Sequence, residues 1–151
     1  MINGTLQSTN GTHPHWQAER LSIEDNVRSI RAWAKDAASL ATPPMGQLGE
    51  KLCELADLCR SHFRREAQIY DQLQEELGCI EVEAAKRQAE ADHRHLLERF
   101  DLLSNQLAGS RTPFANFEEA CERAEWLFDD LDQHEEREAE SIQWLSKNGC
   151  A

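Results

Sequence analysis

Two hexapeptides in this sequence carry residues that could do chemistry: Ser61-His62-Phe63-Arg64-Arg65-Glu66 and Gln133-His134-Glu135-Glu136-Arg137-Glu138. Each sets a His and a Glu four residues apart. On a helix, that spacing stacks the two side chains on one face. An imidazole and a carboxylate sharing a face make half a metal site, and two halves suggest one whole site. A single pair is a weak signal in a chain with 28 acidic residues, because chance pairs are common. Two pairs, each inside a long helical pattern, carry more. The plain alternative for His62 and His134 is a core histidine held by its own i+4 Glu. A lone inward His such as His93 is often no more than a satisfied core residue.

Four helices must position these groups. The first is expected from near Ser22, where Ser22-Ile23-Glu24-Asp25 reads as a cap followed by first-turn acids. Its apolar row is Val27, Ile30, Trp33, Ala34, Ala37 and Leu40, and Thr42-Pro43-Pro44 ends it. The second runs from about Met45 to Leu77 and is stopped by Gly78. It carries Leu48, Leu52, Leu55, Cys59, His62, Phe63, Glu66, Ile69, Tyr70 and Leu73 at spacings of three and four. The third spans about Ile80 to Ala108. The fourth follows Thr112-Pro113, with Thr as cap and Pro at the first helical position, and stops before Asn148-Gly149. The expected fold is all-α, an up-down-up-down four-helix bundle over residues 16–148. A flexible arm over 1–15 and a tail over 149–151 flank it.

Antiparallel neighbours place residues at one height when they lie equally far from the connecting turn. His62 is 16 residues before Gly78, and His93 is 15 after it. Across the third turn, His93 is 15 before Ala108 and His134 is 20 after Phe114. That offset is near 7 Å at about 1.5 Å per residue, which tilt can absorb. His62, Glu66, His93, His134 and Glu138 are therefore expected to converge in the core, with Asn26 opposite them. Imidazole and carboxylate without thiolate suit iron or manganese, and also zinc. Two buried carboxylates without a cation would be costly. Tyr70 could hydrogen-bond a carboxylate of the site, and Asp130 could orient His134, although a solvated acid is the simpler reading of Asp130.

Composition narrows the function classes. The formal charge of −12 argues against nucleic acid or an anionic membrane as partner. No stretch approaches the roughly 18 apolar residues of a membrane span, and the first residues lack the pattern of a signal peptide. Five cysteines without a C-x-x-C pair read as reduced thiols, and the protein as cytoplasmic. Oligomeric state is left open.

Four segments now resemble a known family. Leu58-Cys59-Arg60-Ser61-His62-Phe63-Arg64-Arg65-Glu66 looks like the H-F-x-x-E segment of hemerythrin-like (HHE cation-binding) domains. Ala91-Asp92-His93-Arg94-His95-Leu96-Leu97 is similar to their third-helix acid-His segment. Trp126-Leu127 followed by His134-Glu135-Glu136-Arg137-Glu138 resembles their fourth-helix H-E-x-x-E segment. Ser22 to Arg28 looks like the first-helix segment, with Asn26 where the family carries a His. The resemblance covers about residues 20–146. It implies a bundle holding non-haem iron, as a di-iron or mono-iron centre, with zinc or manganese as other candidates. His62, His93 and His134 would be the imidazole ligands, and Glu66 and Glu138 the bridging carboxylates. Family members bind a diatomic gas, sense O2, NO or redox state, or handle iron. Two departures stand out. Asn26 replaces the first-helix His, and Ala89 and Leu97 stand where the oxygen-carrier form has a second third-helix His. His13 or His15 could substitute for the missing His only if the arm folds back.

Two other readings compete. One is a metal-free bundle serving as an interaction module, its site degenerate through loss of the first-helix His. The other is an enzyme, such as a di-iron oxidase. It ranks last, because ferritin-like enzymes use Glu-x-x-His at i,i+3 and no such pair faces inward here.

Overall fold

The computed structural model describes residues 13–109 and 111–150, and four helices make up nearly all of it. They are α1 (His13–Ala37), α2 (Met45–Leu77), α3 (Ile80–Ala108) and α4 (Phe117–Asn148). Each helix packs against the next, and α4 returns to α1 and α2. The all-α four-helix bundle is thus the observed fold. None of the described helices is long and apolar enough to cross a membrane.

The helix ends follow local chemistry. At the end of α2, Gly78 takes φ 59° and ψ 28°, and its N–H bonds Gln74 O. That left-handed turn is open to glycine at little cost. It lets α3 start two residues later. At α4, Asn116 Oδ1 accepts from Glu119 N at 2.9 Å, while Glu119 Oε2 accepts from Ala115 N at 2.8 Å. This reciprocal cap replaces the expected one: Thr112 and Pro113 lie in the connection, and the helix starts at Phe117. Early in α2, a Cβ added at Gly49 would meet Leu107 Cβ at 3.2 Å and Ser104 O at 3.3 Å. Glycine there lets α2 and α3 approach closely.

α1 differs most from expectation. It begins at His13, with Pro14 in the first turn where a missing N–H costs nothing. Ser22 is therefore exposed in mid-helix and caps nothing. The driving residue is Trp16, whose burial to 2% exposure ties the first turn of α1 to the bundle. Residues 13–15, expected in a flexible arm, are helical; the arm over residues 1–12 lies outside the described residues.

The core is divided in two. One apolar cluster holds Ile23, Val27, Leu52, Phe63, Leu96, Phe100, Leu127 and Leu131 among others. The second holds Trp16, Ile69, Tyr70, Leu73, Val82, Ala89, Ala139 and Ile142. Every helix crosses from one cluster to the other. At the crossing on α2, α3 and α4 stand the buried polar residues His62, Glu66, His93, His134, Glu135 and Glu138. A polar layer thus interrupts an otherwise apolar interior.

The thiols are not all reduced. Cys79, just before α3, is joined by a disulfide to Cys150, just after α4, which corrects the expectation of five free cysteines. No local pattern announces it, because the two residues are 71 apart and meet only through the bundle topology. Cys59 is fully buried, and burial pushes its thiol up, so it is a packing residue.

Candidate metal centre

Glu66 is the hub of the polar layer. It has no exposure, and its two oxygens face different partners. Oε1 lies 2.7 Å from His62 Nε2 and accepts from Trp16 Nε1 at 3.3 Å. Oε2 lies 2.7 Å from His93 Nε2 and 3.7 Å from His134 Nε2. The five residues singled out from spacing, His62, Glu66, His93, His134 and Glu138, are thereby gathered in one buried layer. Their convergence follows from the observed helix ends. With α4 starting at Phe117, His134 is 17 residues into its helix, against 15 from His93 to the end of α3. The offset expected across that turn shrinks to about 3 Å.

The donor atoms fall into two groups that share Glu66. In one, Glu66, His93, His134 and Glu138 offer ligand atoms that all lie within 4.8 Å of one another. In the other, His62, Glu66 and Glu135 do the same. Glu135 was not among the residues expected there. Its Oε2 lies 2.7 Å from His62 Nε2, and the residue is 3% exposed. The signal lay in the inward α4 row of Leu131, His134, Glu135, Glu138, Ile142 and Leu145, where position 135 completes the buried stripe.

Other neighbours fix the layer. The Tyr70 hydroxyl donates to Glu138 Oε2 at 2.8 Å, as its place one turn beyond Glu66 allowed. Phe63 stacks on the His93 ring at 4.0 Å between centroids. Asp92 Oδ2 approaches His134 Nδ1 at 3.5 Å. Asp130 instead pairs with Arg99 at the surface and does not orient His134. His95 is exposed, as is His15, which therefore does not stand in for the absent first-helix His.

Asn26 is not opposite the layer. That expectation took the first helix to run up to Thr42-Pro43-Pro44. The observed end at Ala37 shifts the level residue to around position 20. Glu19 occupies that level: its Oε1 lies 3.4 Å from His62 Nδ1 and accepts from Arg65 Nε at 2.9 Å. Asn26 sits seven residues further along α1, about 10 Å away.

Electrostatics mark the layer as strained for a metal-free core. Burial would raise Glu66, but the imidazoles of His134, His62 and His93 around it hold it well below the ordinary carboxylate range. Burial would lower His62, but its bonds to Glu135 and Glu66 push it up to about 10. Burial and the Glu66 charge lift Glu138 to about 7. Burial also raises Glu135, with the Glu66 charge adding to it. Three carboxylates therefore compete for few protons. Both ring nitrogens of His134 and Oε1 of Glu135 are buried with no hydrogen-bond partner among the described residues. Such orphans normally cost about 1–3 kcal/mol each. Bound cations would take one ring nitrogen of His134 in one donor group and a carboxylate oxygen of Glu135 in the other. The donors, imidazole nitrogen and carboxylate oxygen without thiolate, fit iron, manganese or zinc. The residues present thus suit a bound metal.

No protein family, no characterised protein and no solved structure matches this chain. The class is accordingly that of an all-α four-helix bundle with a buried His/Glu cluster able to hold a metal ion.

Proposed function

We propose that the chain is a hemerythrin-like domain that binds a pair of non-haem metal ions, iron by preference, and serves O2, NO or redox sensing or iron handling. The observation that carries this reading is the double membership of Glu66, whose two oxygens face two separate donor groups. His93, His134 and Glu138 would hold one ion, His62 and Glu135 the other, and Glu66 would bridge them. Iron so held would supply one-electron chemistry toward a small diatomic ligand. The protein's own part is to orient and insulate. Trp16 and Tyr70 steer Glu66 and Glu138 by hydrogen bonds, and the two apolar clusters keep bulk water from the layer. A coordinated metal would add to folding stability.

The test is anaerobic loading with iron(II), removal of excess, and elemental analysis. About two iron atoms per chain and a rise in Tm that a chelator reverses are expected. Absence of stoichiometric iron, manganese and zinc alike would sink the reading.

One observation favours a second reading, a metal-free interaction module. His62, His93 and Tyr70 already hydrogen-bond the carboxylates, so much of the layer is satisfied without a cation. That reading predicts a Tm indifferent to both metal and chelator.

A further inference from the structure

A cleft of about 270 Å³ runs between α1 and α4, and its wall includes Glu135. We propose that this cleft is the route by which a divalent cation reaches the buried layer, with Asp132 capturing it and Glu135 passing it inward. The inference rests on the metal-binding reading above. Asp129, Asp132 and Glu135 recur every three residues on α4, so they line one face of it from the surface to the layer. Asp132 is exposed, and Glu135 is 3% exposed. Glu135 commits Oε2 to His62, while its buried Oε1 has no partner among the described residues, although the residue lines the cleft. That orphan acceptor is what a passing cation would bind first inside.

The charges of the cleft support a cation. Its arginines are held by acids: Arg31 by Glu125 at 2.9 Å, Arg28 by Asp25 at 3.1 Å, and Arg20 by Glu24 at 3.7 Å. Asp132 has no ion-pair partner within 4.0 Å among the described residues; with Glu125 and Asp129 it faces the one guanidinium of Arg31, so acids outnumber the cation there. The apolar sides, Ile23, Val27 and Phe128, give low-dielectric walls that concentrate this field. The other approach, between α1 and α2, ends at Glu19, which Arg65 covers at 2.9 Å. The acid at that mouth is thus already paired, whereas Asp132 is not.

The experiment follows cobalt(II) uptake by the chelator-stripped full chain, using stopped-flow absorbance for the rate and titration for the stoichiometry. Asp132→Asn should slow uptake about three- to tenfold at low salt, and Asp132→Lys more, because a focused charge in a cleft raises on-rates by roughly tenfold or more. The equilibrium stoichiometry should stay at the wild-type value. Added salt should slow the wild type more than Asp132→Asn. Glu54→Gln, an exposed acid on α2, should match the wild type. Wild-type rates in both Asp132 variants, or equal slowing in Glu54→Gln, would overturn the route while leaving metal binding intact. A wild type that binds no cobalt would bring down both readings.

Discussion

Replacing Glu138 by Gln should stabilise the metal-free protein and weaken the metal-loaded one. Glu138 is 5% exposed, and burial together with the Glu66 charge raises it from its ordinary 4.5 to about 7. That gap corresponds to about 3 kcal/mol against the charged form. The unfolded chain releases this proton as pH passes 4.5, but the folded chain releases it only near 7. Between those values the folded state holds more protons, so stability falls as pH rises, and above 7 the loss is complete. Gln has the same shape, cannot ionise, and can still accept from the Tyr70 hydroxyl, which now bonds Glu138 at 2.8 Å. The variant should therefore equal the wild type near pH 4.5 and exceed it by up to about 3 kcal/mol at pH 8, both in chelator. Denaturant melts across pH 4.5–8 read the difference directly. With metal present the order should reverse, because an amide is a poorer ligand than a carboxylate. A chelated Glu138→Gln less stable than the wild type at pH 8, or a difference constant with pH, would refute the claim that a buried carboxylate is held against its own charge here.

Glu66→Gln should be more damaging than Glu135→Gln or Glu138→Gln, because Glu66 alone belongs to both donor groups. Elemental analysis should show loss of both metals. The metal-free variant should lose about 3–5 kcal/mol, the usual result of breaking a buried charged pair. Reducing the Cys79–Cys150 disulfide frees a 71-residue separation. It should cost about 4 kcal/mol by chain entropy, seen as a Tm lower by roughly 10 °C in a domain of this size. Metal uptake at pH 7 should release about one proton or more per chain, since His62 is held protonated by Glu135 and Glu66 and must lose that proton to ligate. Calorimetry in two buffers of different ionisation enthalpy measures this release, and heats independent of buffer would contradict it.

Much of this was legible in the sequence. The apolar rows of α2 and α3, and Gly78 between them, set a turn whose position equalises the heights of His62 and His93. What escaped was decided by contacts between distant parts of the chain. Pro14 and Trp16 mark a stiff, aromatic stretch whose indole could pin the arm to the bundle, but that its burial starts α1 at His13 rather than near Ser22 was not legible. That end, and the end at Ala37, replace Asn26 with Glu19 beside His62. Glu135 hid among Glu136, Arg137 and Glu138, because an acid-rich helix disguises which acid faces inward. The disulfide is a product of topology, since nothing local to Cys79 or Cys150 signals the other.

Anomalous diffraction at the iron edge, from crystals of the iron-loaded chain, would place the ions relative to Glu66. Two peaks are expected on either side of Glu66, one enclosed by His93, His134 and Glu138 and the other by His62 and Glu135. No peak in the layer, with His62 still bonded to Glu135 and Glu66, would contradict the metal-binding reading.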